Sequence, residues 1–375
     1  MSDVYLSSDN ILSPIGSTTA ENFLQLTKNI SGIQLHDDRC LSDEPFYASL
    51  FDAHFFTKEN SAHTSFEQLL ITSIGNALQN SGVSAKDPKT VLIISSTKGN
   101  IDLLEAGSAD PAMQQRIAMY TSAKIVADYF GFVNRPVIIS NACISGLLGI
   151  ITGKRLIQSG QYENAVVAGA DIISKFVLSG FQSFQAISPE PCKPFDHNRK
   201  GINLGEGAAT MILSSNKRQS DTIKIMGGAV SNDANHISAP SRTGEELAHI
   251  IKKAIQVSGL SVDDIDMISA HGTATMYNDE MEAKAITIAG LQSVPTNSLK
   301  GFYGHTLGAA GLIESIISVQ SLKENKVLPT KGFEKMDTVG ALNIRNTILD
   351  TPLQNCLKTA SGFGGCNAAL IFSKE

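Results

Sequence analysis

Residues 136–160 read PVIISNACISGLLGIITGKRLIQSG, and the order of residue types in that stretch decides the fold. The β-branched run Val137, Ile138 and Ile139 favours an extended strand. Ser140, Asn141 and Ala142 break it, Cys143 follows, and a long apolar segment continues with the spacing of a buried helix. Strand, sharp turn, nucleophile and helix is the arrangement that lifts a side chain to the top of a sheet. At a helix start, unpaired N–H groups and the positive end of the dipole favour a thiolate. Ala142, Ser145 and Gly146 are small enough to admit a carbonyl beside Cys143. The alternative, for this stretch taken alone, is that Cys143 is simply a small buried apolar residue.

The 375-residue chain is 42% hydrophobic and 18% charged, the balance of a soluble globular protein with ample core. Its net charge of −6 argues against general nucleic-acid or anionic-membrane binding. Five scattered cysteines (Cys40, Cys143, Cys192, Cys356, Cys366) show no CxxC or Cys/His spacing, so neither a zinc site nor a disulfide framework is expected. MSDVYLSSDN lacks the basic and apolar regions of a signal peptide, and Lys154-Arg155 stops the apolar stretch after Cys143 short of a membrane span. A reducing cytoplasm is the expected setting.

Outward from the Cys143 unit, apolar runs predict strands at 4–7, 91–95, 165–168 and 208–213, with turn chemistry at 13–16. Helical spacing marks 67–79 and 121–130, while 175–200 reads as loop-rich. The polar run 214–221 reads as a connection. A second series then begins: a strand from 222, a helix from a capping box at Thr243-Gly244-Glu245-Glu246, and a strand at 265–269. A helix at 278–289, a strand at 294–298, a helix at 307–322 and a closing strand pair at 356–361 and 368–372 complete it. Strand, small turn and CISGLLGII in the first series match strand, small turn and HTLGAAGLI from His305 in the second. An internal duplication would place both turns at one end of the molecule and bring Cys143 and His305 together.

Of eight histidines, His271 (SAHGTAT) follows an apolar strand and His305 (KGFYGHTLGAAG) precedes a buried helix. Each is flanked by glycine, which leaves room for a ligand. His36, His54, His63, His197, His236 and His249 are expected to be surface or simply hydrogen-bonded.

The segments NACISG, HGTAT…NDEMEA, SLKGFYGHTLGAAGLIES and SGFGGCNAALIF, with PFDHNRKGINLGEGAA as a weaker match, occur in one order from about residue 136 to the C-terminus. The chain resembles a β-ketoacyl-acyl-carrier-protein synthase of the elongating, decarboxylating type, in the thiolase-like superfamily. That resemblance implies an α/β fold of duplicated βαβαβαββ halves layered α-β-α-β-α: 1–217 carrying Cys143, and 218–375 carrying His271 and His305. It implies that Cys143 takes an acyl group from a carrier-protein thioester. The N–H groups of Cys143 and Phe363 would form the oxyanion hole, shaped by Gly364 and Gly365. His271 and His305 would stabilise the enolate left when a malonyl thioester loses carbon dioxide. Lys300 and Glu314 would position charge, a plain ion pair being the alternative. Asp279, eight residues after His271 at a helix start, would stand behind the residues that meet substrate, with helix capping as its alternative. Thr273 and Thr275 would hold the pantetheine arm, Phe181 would line the acyl site, and Phe363 would gate it.

No metal or redox cofactor is implied. The implied partners are acyl- and malonyl-loaded acyl carrier proteins, with Lys193, Arg199 and Lys200 as the candidate docking patch, and a second subunit, identical or related. Departures from the family lie in the short 91–136 region, Gln182-Ser183 after Phe181, Gln185 for an arginine, Lys200 for an acidic residue and Cys366 for a threonine. They leave acyl length and pathway open between fatty-acid, polyketide and polyene synthesis. An inert chain-length factor would lack the nucleophile. A coenzyme A-primed enzyme places asparagine where His305 stands, a degradative thiolase needs a C-terminal catalytic cysteine, and a cysteine hydrolase has no use for two glycine-turn histidines.

Overall fold

Apolar runs buried on both faces set the sheets. The computed structural model describes residues 2–52, 54–56, 62–105, 111–217, 222–234 and 240–375. Five strands come from the first series, Tyr5–Leu12, Thr90–Ser95, Val137–Ile139, Asn164–Asp171 and Gly207–Ser214. Five come from the second, Ile223–Asn232, Met267–Ser269, Thr296–Asn297, Asn355–Gly362 and Cys366–Lys374. Numbered within its series, each set has the spatial order 3-2-4-5-1. In both sets strands 3, 2 and 4 pair in parallel, and strands 4, 5 and 1 pair antiparallel. The duplication read from two short motifs thus extends to the whole topology. The sets meet where Tyr5 pairs with Lys224.

The Cys143 helix (Ser145–Gln158) and the His305 helix (Ala310–Glu324) each touch strands of both sets, so they form a layer between them. Ser65–Gln79 and Met119–Phe130 cover the outer face of the first set, and Glu245–Ser258 and Met276–Ile288 that of the second. The result is the expected α-β-α-β-α layering. No helix of the described residues is long and apolar enough to cross a membrane.

The two central helices cross at glycines. A Cβ on Gly146 would stand 2.7 Å from the Leu312 nitrogen, and one on Gly311 would stand 2.4 Å from the Leu147 nitrogen. Both obstacles are backbone, so neither helix can yield without moving its own turn. Gly311→Ala is expected to lower stability by about 1–3 kcal/mol, the usual cost of overpacking, as read from the denaturant midpoint. An unchanged midpoint would mean that the helices are less closely packed.

Several expectations need correction. Lys175–Ser183 is a helix, started by Ser174, whose Oγ accepts from the Val177 N–H. Thr243 makes no capping box; Gly244 caps its helix in a left-handed conformation, with no side-chain bond. The third strand of the second set shortens to Thr296–Asn297, the rest of 294–298 being drawn into loop contacts. Residues 31–63 supply Gln34–His36 and Phe46–Ser49, the second of which pairs with both the first and Leu204–Gly205 in a small separate sheet. The connection between series includes residues 218–221, which, like His236, lie outside the described residues.

Candidate active site

Three strained turns at one end of the sheets carry the chemistry. After Val137–Ile139 the chain reverses at Ala142, whose φ of 44° is left-handed and costs a residue with a Cβ about 1–2 kcal/mol. Ser145 holds the reversal: its Oγ accepts from the Asn141 N–H at 2.8 Å and donates to the Ala142 carbonyl at 2.7 Å. Cys143 is thereby lifted to the start of its helix, 8% exposed.

His271 stands after Met267–Ser269 on a turn with left-handed Gly272 and Ala274. Glu282 accepts the His271 and Gly272 N–H groups, each at 2.8 Å. Asp279 accepts the N–H of Thr273 at 2.8 Å and of Phe195 at 2.7 Å. It therefore ties the histidine turn to a distant loop rather than capping its own helix. Burial pushes its carboxyl up to about 6. His305 follows Gly304 (φ 68°), where a Cβ would stand 2.4 Å from the Leu204 carbonyl oxygen. The Gly308 N–H on the same turn donates to Asp171 at 2.6 Å.

These turns put the ligating atoms of Cys143, His271 and His305 within 4.8 Å of one another, with the imidazole centroids 5.3 Å apart. The three line a cavity of about 420 Å³ with Thr273, Thr275, Phe181 and Phe363. The Thr273 and Thr275 hydroxyls lie 2.8 Å apart. Phe363, 41% exposed, stacks on Phe181 at 5.7 Å. Gly364 after it has open space where a Cβ would be, while Gly365 packs against the Asp233 carbonyl, so the loop is anchored at one end and open at the other. Gly362 brings this loop to Cys143, its Cβ position being 3.0 Å from the Cys143 nitrogen.

Burial pushes the Cys143 thiol up to about 12, and the opposing Lys300 charge does not offset it. The thiolate expected from the helix start is therefore outweighed, and the resting group is a neutral thiol. Iodoacetamide labelling of the Cys143 peptide should quicken as pH rises through the ordinary thiol value of 9.0, without levelling. A plateau near neutral pH would contradict this.

The imidazole protons can be placed. The Leu307 N–H donates to His305 Nδ1 at 3.3 Å, so that nitrogen bears a lone pair and the proton sits on Nε2. His305 Nε2 is buried with no hydrogen-bond partner among the described residues. Lys300, fully buried, lies 3.3 Å from His271 Nδ1 and donates to the His271 carbonyl at 2.6 Å and to Glu314 Oε1 at 2.7 Å. An ammonium can only donate, so His271 also carries its proton on Nε2. Burial first, then the Lys300 charge, hold both rings well below 6.5. Burial pulls the Glu314 carboxyl upward, but Lys300 and Lys358 outweigh it and hold it below its ordinary range. The site offers two neutral donors.

A thiolate with two imidazoles is also a donor set of the kind zinc takes. A metal would need the Nε2 lone pairs, and the donors facing both Nδ1 atoms keep protons there. These residues do not fit a resident ion.

Sequence reasoning missed Lys358, Glu282 and Asp171, each buried and each tied to one of the three turns. A lysine inside an otherwise uncharged strand, NCLKTASG, was the available signal for Lys358. It misassigned Arg199, which is 5% exposed and paired with Asp337 at 2.6 Å, and so is no docking side chain. Lys200 is exposed, 3.3 Å from Glu190.

A duplicated thiolase-like fold carrying a thiol beside paired imidazoles defines a class, the acyl-transferring condensing enzymes. The Beta-ketoacyl synthase N-terminal domain matches residues 19–219, and the Beta-ketoacyl synthase C-terminal domain matches residues 223–334. The chain belongs to the beta-ketoacyl synthase family. It is 28% identical to 3-oxoacyl-[acyl-carrier-protein] synthase 2 of Vibrio cholerae, over 97% of each chain. It is 30% identical to a putative polyketide beta-ketoacyl synthase 1 of Streptomyces halstedii, over 71% of this chain and 67% of that one. Among solved structures, the ishigamide ketosynthase/chain length factor superposes with a TM-score of 0.90 at 25% identity, covering 100% of this chain and 99% of the other.

Proposed function

We propose that the protein is a 3-oxoacyl-[acyl-carrier-protein] synthase that extends an acyl chain by two carbons in the cytoplasm. One observation carries this reading: a thiol and two imidazoles, each with its proton on Nε2, share one cavity. In the first half-reaction the Cys143 sulfur attacks the thioester carbonyl of an acyl carrier protein. The carbon–sulfur bond to the carrier breaks, and the proton lost by Cys143 ends on the departing pantetheine thiol. The Cys143 and Phe363 N–H groups stabilise the oxyanion, Gly364 and Gly365 shape the Phe363 loop, and Thr273 and Thr275 hold the pantetheine arm.

In the second half-reaction a malonyl thioester loses carbon dioxide, and its electron pair becomes an enolate. Negative charge gathers on one thioester oxygen, where Nε2–H of His271 and of His305 donate. Two neutral donors suit this better than a base, which would compete for the charge. The enolate carbon attacks the acyl-cysteine carbonyl, the carbon–sulfur bond breaks, and the Cys143 sulfur leaves as a thiolate that takes a proton from solvent. Lys300 and Glu314 fix the His271 tautomer, and Asp279 fixes its turn.

The partners are acyl- and malonyl-loaded carrier proteins and a second subunit, identical or related. A non-catalytic chain-length factor is the weaker reading, because such a subunit has no use for the thiol and imidazoles together. Intact-mass analysis after incubation with carrier proteins of graded acyl length tests the proposal. A covalent acyl adduct with a length preference is expected; no adduct at any length would favour the inert subunit.

A further inference from the structure

Lys358 lies inside the buried strand Asn355–Gly362 and is 0% exposed. An ammonium held so far from water needs close partners, and those partners identify what it holds. Its Nζ lies 2.7 Å from Glu314 Oε2 and donates to the carbonyls of Ser269 at 3.1 Å and Ala270 at 3.2 Å. Those two residues immediately precede His271. The other Glu314 oxygen holds Lys300, which faces His271 Nδ1. The next residue of the strand acts on the same turn from its amide side. Thr359 Oγ1 donates to Glu282 Oε1 at 2.6 Å, and Glu282 accepts the His271 and Gly272 N–H groups. Two adjacent residues of one strand therefore grip both the carbonyls and the amides of the backbone that carries His271.

We propose that Lys358 is a positioning residue for the carbon–carbon bond-forming half-reaction, locking the His271 backbone and the Glu314–Lys300 pair so that His271 keeps its Nε2–H toward the reacting thioester. This rests on the function proposed above and deepens it. Lys358 does not line the cavity, so it acts through the His271 turn and the Glu314–Lys300 pair rather than on substrate. Two ammonium groups and two carboxylates (Lys300, Lys358, Glu282 and Glu314) surround the turn. Loss of one ammonium frees Glu314 to draw Lys300 away from the imidazole, and the tautomer is then no longer imposed. The Cys143 turn is held separately, by Ser145, so acyl transfer does not depend on Lys358.

The test is Lys358→Met, an uncharged side chain of similar length, with three readouts. Acylation of Cys143 by an acyl carrier protein, followed by intact mass, should stay within about threefold, while decarboxylation of malonyl carrier protein should fall roughly 30- to 100-fold, as for a misplaced reacting group. In ¹⁵N-histidine spectra, assigned with His271→Gln, the His271 signal should change from one tautomer to a mixture. Thr359→Val, which releases the turn from the Glu282 side, should show the same split and serves if Lys358→Met does not fold. Unchanged decarboxylation overturns the proposal. Equal loss of both half-reactions with an unchanged His271 tautomer, the mark of plain packing, also overturns it. A wild type that accepts no acyl group would overturn the function reading instead, and the tautomer measurement would still decide for Lys358.

Discussion

Cys143→Ala is expected to take no acyl group from any carrier protein and to lose condensation by a factor on the order of 10⁴ or more, the scale seen when a covalent nucleophile is deleted. The loss should be chemical rather than structural. The side chain is small and its turn is held by Ser145, so the denaturant midpoint should move by no more than about 1 kcal/mol. Cys366 cannot substitute. Its sulfur is turned toward the carbonyls of Asn141 and Phe363, and it does not line the cavity that Cys143 shares with the imidazoles. A full acyl adduct on Cys143→Ala would mean that another residue is the nucleophile.

His305→Ala should give the opposite split. Removing one of two donors to a developing oxyanion typically costs about 10²–10³ in rate. Malonyl decarboxylation should fall by that factor, while acylation of Cys143 changes by less than about tenfold. The double variant His271→Ala/His305→Ala should lose less than the product of the single losses, because both donors serve one oxygen. The pH dependence follows from the same burial. Both imidazoles are held well below 6.5, so the wild-type decarboxylation rate should be level through neutral pH. It should fall only as pH drops through those depressed values and the rings become charged. A rate that falls on the alkaline side of neutrality, by loss of a proton from an imidazolium, would contradict the neutral-donor assignment.

What could be read from sequence was local. NACISG and the run after His305 announce turn, small residues and buried helix within a dozen positions, and their likeness to each other predicted the duplicated topology. The backbone crossing at Gly146 and Gly311 shows why each helix has glycine at its second position. What could not be read depends on partners far along the chain. Arg199 sits in a polar segment, and only the fold reveals that Asp337, 138 residues on, takes its charge inward. Lys358 is the one charge in its strand, and only the fold brings Glu314 and the carbonyls before His271 around it. Thr243 satisfied the capping pattern, but the N-cap falls on left-handed Gly244, and the Ser241 and Thr243 hydroxyls accept the N–H groups of Gly244 and Glu245 instead. The thiol's protonation was misjudged because a helix start can be seen in sequence and the depth of its burial cannot.

The central claim is that Cys143 and the two imidazoles act on one substrate in one cavity. Single turnover tests it most directly: acyl-enzyme is isolated, malonyl carrier protein is added, and enzyme mass, carbon dioxide and carrier-bound product are followed together. The acyl mass should leave Cys143 as carbon dioxide and a 3-oxoacyl carrier product appear, one of each per acyl group consumed. Acyl groups that pass to water, or carbon dioxide released while Cys143 stays acylated, would contradict it.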